Sequence, residues 1–243
     1  MTTIINISAY RFTHLSSSII LSLQAKLKKA CQCLNLKGTV LLSEEGINLF
    51  LAGSERAIIQ FKLFLDSYEY FKNLRFLETT SDFQPFKKLL VKVKKEIISF
   101  GVATVQPEKS TAAMITPEAL KQALDHGRDL LLLDTRNTFE YELGSFDNAT
   151  HLGLTRFREF PSVVKKLTNN RVTSTIVTFC TGGIRCEKAS AYLLQSGFKQ
   201  VYQLQGGIIN YFRQCGKKHY HGDCFVFDHR KVVTVADTIA SIS

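Results

Sequence analysis

Apolar positions in the first hundred residues switch between two periods. Ile4–Phe12 reads as a strand, and from Leu21 to Leu34 the residues Leu23, Leu27, Ala30 and Leu34 recur at helical spacing. Thr39–Leu42 and Ile47–Leu51 are apolar runs separated by Ser43-Glu44-Glu45-Gly46, which predicts a hairpin turn. Ser54 is placed to cap a second helix whose buried face is Ile58, Phe61 and Leu65. Leu74–Leu77 and Leu89–Phe100 supply two further extended segments. The order β-α-β-β-α-β over residues 1–102 predicts a ferredoxin-like α+β domain, an antiparallel sheet with two helices on one face.

The periodicity stops at residues 103–115, where Pro107, Glu108, Lys109, Ser110 and Thr111 predict a linker. Thr116-Pro117-Glu118 then has the form of a helix N-cap with proline at the first helical position. Leu130–Leu133, Ile176–Phe179 and Val201–Leu204 are apolar without alternation, as strands covered on both faces of a parallel sheet must be. With helical stretches between them, residues 116–225 predict an α/β domain, followed by a C-terminal extension over 226–243.

Composition narrows the class. Hydrophobic residues make up 45% of the 243 and charged residues 21%, which fits a folded protein rather than a disordered one. No apolar run is long enough to span a bilayer, and the start, Met-Thr-Thr-Ile-Ile-Asn, lacks the basic region and cleavage site of a leader. A cytoplasmic protein with no membrane partner is expected. The net charge of +10 is compatible with a nucleic-acid partner, a membrane surface or simple solubility, and with no basic tail any anion-binding surface must be built by the fold. Six cysteines without a CxxC pair are expected to be buried, catalytic or metal-binding rather than disulfide-bonded.

One segment concentrates the chemistry. A buried strand runs into Cys180, then Thr181, Gly182, Gly183 and Ile184 lead to Arg185, where a helix begins. Glycines let several N–H groups turn toward one point, and with the helix N-terminus they form an anion-binding nest. A thiol held there is ionised more easily and becomes nucleophilic. Cys180 is thus the candidate nucleophile, with Arg185 as a fixed positive charge at the rim. Cys186 shares a helix face with Ala189 and Leu193 and is expected to pack in the core, with a resolving-thiol role as the alternative. The spacing Cys-x4-Arg is one residue shorter than the Cys-x5-Arg loop of phosphotyrosine-type phosphatases and equals the six-residue loop of rhodanese sulfurtransferases.

Beyond that loop, the strings Asp134-Thr-Arg136-Asn137 with Glu140, Phe157-Arg158-Glu159-Phe160-Pro161, Cys180 to Tyr192, Gly206-Gly207-Ile208 and Cys224-Phe-Val-Phe-Asp228 resemble one family. So do Lys37-Gly38-Thr39, Glu44 to Asn48 and Lys94-Lys95-Glu96-Ile97. This is the rhodanese-domain tRNA uridine hydroxylases, and the likeness runs over nearly the whole chain. It implies an acylphosphatase-like first domain, a rhodanese-like second domain and 5-hydroxylation of the wobble uridine of tRNA. Molecular oxygen would be a co-substrate, no other cofactor is evident, and Cys180 would be essential. The chain departs from the family in having His151-Leu152 where relatives commonly have Asn-Pro. It also ends soon after Asp228 where many relatives continue into a cysteine-rich tail, so that tail is expected to be dispensable.

The resemblance turns the basic residues into a tRNA surface: Lys87, Lys88, Lys92, Lys94 and Lys95 on one extended segment, joined by Arg136, Arg156 and Arg158. Lys92 and Lys94 should leave one face of the strand while Val91 and Val93 pack on the other. The competing reading is an edge strand kept soluble by its lysines. Phe157 or Phe160 is the candidate to stack on a splayed anticodon base, with at least one of them left for the core. No metal is expected, because Cys215-x3-His219-x-His221-x2-Cys224 fits no standard ligand spacing. The rival activity is sulfurtransfer through a Cys180 persulfide, and a third reading is a non-catalytic RNA-binding protein.

Overall fold

The computed structural model describes residues 3–165 and 174–239 in two compact units, one built mainly on Met1–Ile98 and the other on Ser99–Phe227. In the first, β1 (Ile4–Phe12) leads to α1 (Ser17–Cys33), then β2 (Lys37–Ser43), β3 (Gly46–Gly53), α2 (Glu55–Asp66), β4 (Leu77–Ser81) and β5 (Leu89–Val93). The sheet order is β4-β1-β3-β2-β5, antiparallel except where β5 adds to β2 in parallel. This is the expected ferredoxin-like pattern with one extra edge strand. Ser16 and Ser54 start the two helices by accepting the N–H groups of Ile19 and Ala57. Leu23 and Leu27 of α1 and Ile58, Phe61 and Leu65 of α2 are buried in one core. Each such side chain contributes roughly 1.5–3 kcal/mol.

The hairpin turn lies where the sequence places it, with Ser43 paired to Gly46. Gly46 has φ of +133°, and a Cβ there would lie 2.0 Å from the Arg11 carbonyl oxygen, so no side chain fits. Two expectations shift. The strand expected at Leu74–Leu77 forms at Leu77–Ser81, because Phe71 and Leu74 close the core through a short 3-10 turn before the chain extends. The segment Leu89–Phe100 is a strand only to Val93, and Val93 is 43% exposed instead of packed. As the edge strand, β5 has no outer partner to hold Val93 under cover.

In the second unit, β6 (Ala113–Ile115) occupies residues read from the sequence as the end of a linker. The chain continues through α3 (Pro117–Asp125), β7 (Leu131–Asp134), α4 (Thr138–Leu143), β8 (Gly144–Phe146), β9 (Thr150–His151) and α5 (Phe160–Val164). Then come β10 (Thr175–Phe179), α6 (Ile184–Gln195), β11 (Gln200–Leu204) and α7 (Gly207–Cys215). The sheet is wholly parallel in the order β6-β11-β10-β7-β9. Leu131, Leu132 and Leu133 of β7 and Ile176 and Val177 of β10 are buried, which explains the absence of alternation in their sequence. Two small antiparallel pairs finish the unit: β12 (Tyr220–Gly222) with β8, and β13 (Cys224–Phe225) with β14 (Val232–Val233). The extension expected over 226–243 is described as far as residue 239, and β14 lies within it. Among the described residues no helix is long and apolar enough to cross a membrane.

Candidate active site

Cys180 leaves the carboxyl end of β10, the position where parallel sheets present ligands. Gly183 follows with φ of +100° as the N-cap of α6, a conformation glycine adopts without steric cost. That turn sends the Gly183 N–H to the Cys180 Sγ at 3.1 Å. The Arg185 N–H also donates to it. Burial opposes ionisation of this thiol, yet a hydrogen bond from Cys186, the Arg185 charge and the two backbone donors outweigh it and bring the pKa down to about 6.

A second anchor comes from α7. Gly206 and Gly207 both have positive φ, and the helix they begin donates the Ile208 N–H to the Cys180 carbonyl at 2.9 Å and the Ile209 N–H to the Thr181 carbonyl at 3.1 Å. A Cβ on Gly207 would lie 2.4 Å from the Cys180 oxygen. The Gly206-Gly207-Ile208 string is therefore the clamp that fixes the backbone of the reactive loop.

Arg185 is not the rim cation expected from the sequence. It is 5% exposed, and its Nη1 and Nη2 donate to the two oxygens of the fully buried Glu140 at 2.6 and 2.8 Å. Glu140 in turn accepts the Asn137 N–H at 3.1 Å, at the start of α4. The sequence signal for Glu140 is its place three residues after an N-cap asparagine, the spacing of a capping box.

Arg136 is a correction. Proposed from the sequence as part of a tRNA surface, it is 0% exposed and cannot meet a phosphate. Its Nε and Nη2 grip the Asp134 carboxylate at 3.0 and 2.7 Å, and Nη2 also reaches the Gly144 carbonyl at 2.6 Å. Ser145 adds a fourth support through its hydroxyl to Asp134 at 2.9 Å. His151, the residue at the family departure, holds the same turn, with Nε2 2.9 Å from the Arg136 carbonyl and its ring stacked on Tyr141 at 4.7 Å. Its Nδ1 accepts the Gly153 N–H, so Nε2 carries the proton.

Cys186 has more than a packing role. Its thiol hydrogen-bonds Cys180 and lies against the hydroxyls of Thr135 and Thr178. Those hydroxyl protons are already committed, Thr135 to the Phe179 carbonyl at 3.0 Å and Thr178 to the Tyr202 carbonyl at 3.2 Å. The Cys186 S–H is thus the proton available to that cluster. Burial first, then the neighbouring Cys180, push its pKa up, so it stays a thiol and donates to the Cys180 sulfur.

Phe157 and Phe160 are the second correction. They are 6% and 0% exposed and pack on Phe100, with centroids at 5.2 and 6.2 Å, so neither is free to stack on a base. Arg156 and Arg158 are exposed, as are Lys87, Lys88, Lys92, Lys94 and Lys95 along the outer edge of the first unit's sheet. His219 and His221 face Asp125 and Asp147. Among the described residues, no three His, Cys, Asp or Glu side chains converge as a metal would require. All six cysteines are free, with Cys31, Cys180, Cys186 and Cys224 buried.

Comparison with known proteins follows this division. Residues 4–97 match the family model of the UPF0176 acylphosphatase-like domain, and residues 116–214 that of the rhodanese-like domain. A protein of Cupriavidus pinatubonensis named tRNA uridine(34) hydroxylase is 46% identical over 232 residues, which cover 93% of this chain and 82% of its own. A protein of Ralstonia nicotianae with the same name is likewise 46% identical over 232 residues, with the same coverage. Among solved structures, a rhodanese-like domain from Anabaena sp. is 21% identical with a TM-score of 0.38, covering 45% of this chain and 78% of that one. The identity of nearly half, sustained across both units, means that this chain belongs to the tRNA uridine(34) hydroxylase family.

Proposed function

We propose that the protein hydroxylates C5 of the wobble uridine of tRNA, using molecular oxygen and the Cys180 thiolate. The observation that carries this reading is the Cys180 sulfur held by the Gly183 and Arg185 N–H groups at the start of α6, a setting that favours its thiolate. The names of the relatives supply the substrate.

The thiolate adds to C6 of the uracil and forms a C–S bond, while the ring's electron pair moves to C5 and the C4 carbonyl as an enolate. C5 then bonds to O2, and the outer oxygen takes up a proton to give a C5 hydroperoxide. A two-electron donor of the thiol class, with two protons, cleaves the O–O bond to leave a C5 hydroxyl and release water. Loss of the C5 proton expels the Cys180 thiolate and restores the C5–C6 double bond. Cys186 stabilises the sulfur anion at the start and end of this cycle, when the charge returns to it. The exposed lysines of β5 and its continuation, with Arg156 and Arg158, are assigned to the phosphates of the anticodon arm. The proposed compartment is the cytoplasm.

Mass spectrometry of tRNA nucleosides from cells with and without the protein tests the reading. Loss of 5-hydroxyuridine and its derivatives is expected. Loss of a thiolated base instead would assign sulfurtransfer, and no change would leave RNA binding alone. A tRNA with 5-fluorouridine at position 34 should trap a covalent adduct on Cys180, and failure to trap one would count against addition at C6.

A further inference from the structure

We propose that Phe227 and Phe139 form the platform on which the target base stacks at the mouth of the Cys180 loop. The proposal rests on the hydroxylase reading and adds to it the residues that receive the base. Enzymes acting on a single-stranded nucleotide take the base out of its stack and support it on aromatic faces. The phenylalanines that the sequence offered for this task lie in the core, so the platform has to be sought elsewhere.

Phe227 is 58% exposed and Phe139 is 44% exposed, and they stand together. Their ring centroids are 6.4 Å apart, and the Phe225 ring lies 5.0 Å from each. A contiguous apolar patch left in water is the usual mark of a binding surface, unlike single exposed apolar residues. One chain neighbour and two contacts tie this patch to the reactive loop. Phe139 precedes Glu140, which grips Arg185. The Arg185 guanidinium lies 5.9 Å over the Phe227 ring. The hydroxyl of Thr181, next to Cys180, donates to the Phe225 carbonyl at 3.3 Å.

The occupant follows from these contacts. The Arg185 guanidinium lies over the Phe227 ring and holds its orientation, and with 58% of that residue in water the ring keeps surface for a flat partner. A pyrimidine stacked there sits beside the loop whose sulfur must reach its C6. Every base has a π-face, so the platform supplies affinity and placement but does not choose the base.

The experiment uses the full chain, an anticodon stem-loop RNA with the fluorescent pyrimidine pyrrolocytidine at position 34, and the same RNA with uridine there. Stacking quenches the fluorophore. The wild type and Phe227→Tyr should quench it, whereas Phe227→Leu and the Phe139→Leu/Phe227→Leu double variant should not. The leucine variants should also raise KM for 5-hydroxyuridine formation by about tenfold. Alkylation of Cys180 by iodoacetamide should be unchanged in them, since the sulfur's own partners remain. Quenching in the wild type but not in Phe227→Leu, with uridine left unmodified by both, would support the platform and contradict the hydroxylase reading alone. Wild-type quenching and turnover in Phe227→Leu, or no quenching by the wild type, would overturn the platform.

Discussion

The Glu140 carboxylate holds the Arg185 guanidinium through two hydrogen bonds, 2.6 and 2.8 Å long, with both side chains buried. Because the arginine is already neutralised, it serves the site by fixing the first turn of α6 and by sharing its charge with the sulfur. It does not wait for a substrate anion. Removing one member of such a pair strands the other in low dielectric. Glu140→Gln should lower unfolding free energy by about 3 kcal/mol, and Arg185→Met/Glu140→Gln should cost less than the sum of the single changes. Chemical denaturation of the four proteins checks this. Additive losses would mean that the two residues act independently.

The Cys180 thiol, held down to about 6, should be largely ionised at neutral pH. Its alkylation rate should therefore climb through pH 6 and level off above pH 7. Cys186→Ala removes the thiol that donates to it and should move the midpoint upward, while Cys186→Ser keeps a donor and should restore part of the shift. A midpoint that ignores both changes would refute the donor role.

The same depressed pKa bears on stability. The folded state releases the proton near pH 6, whereas an unfolded cysteine releases it near 8.5. Between these values the unfolded chain binds more protons, so this group's contribution grows as pH rises from about 6 and is lost as pH falls through the folded pKa. Wild-type stability measured against Cys180→Ser across that window should show the extra upward slope.

Gly207→Ala should damage the loop without touching a reactive atom. The new Cβ would meet the Cys180 carbonyl oxygen at 2.4 Å, and φ of +63° adds strain of about 1–2 kcal/mol. The expected result is a loss of stability by at least that amount, together with a fall in kcat, read by thermal unfolding and turnover.

For tRNA binding, each of Lys87, Lys88, Lys92, Lys94 and Lys95 replaced by alanine should weaken affinity alike across tRNA sequences. Each should also flatten the slope of log K against log salt by roughly 0.7–1. Arg136→Ala should instead act through stability, since that side chain is enclosed on Asp134.

What could be read from the sequence was local. The Cys-x4-Arg loop, the caps at Ser54 and Thr116 and the hairpin at Gly46 are each set by a few consecutive residues, and all appear in the structure. Contacts distant in sequence were not legible. Charge count places Arg136 outside, but the Asp134 fork and the Gly144 carbonyl enclose it. Glu140 meets an arginine 45 residues away. Phe157 and Phe160 resemble any exposed aromatic pair until Phe100 packs on them, and nothing in the string Cys224 to Asp228 marks Phe227 as the ring left in water.

The most direct test of the central claim is hydroxylation under ¹⁸O2 by the purified wild type and Cys180→Ser, with a thiol reductant and uridine-34 tRNA. 5-Hydroxyuridine carrying one heavy oxygen atom is expected with the wild type, and none with Cys180→Ser although it still binds the tRNA. Product formed equally by the serine variant, or product with no label from O2, would contradict that claim.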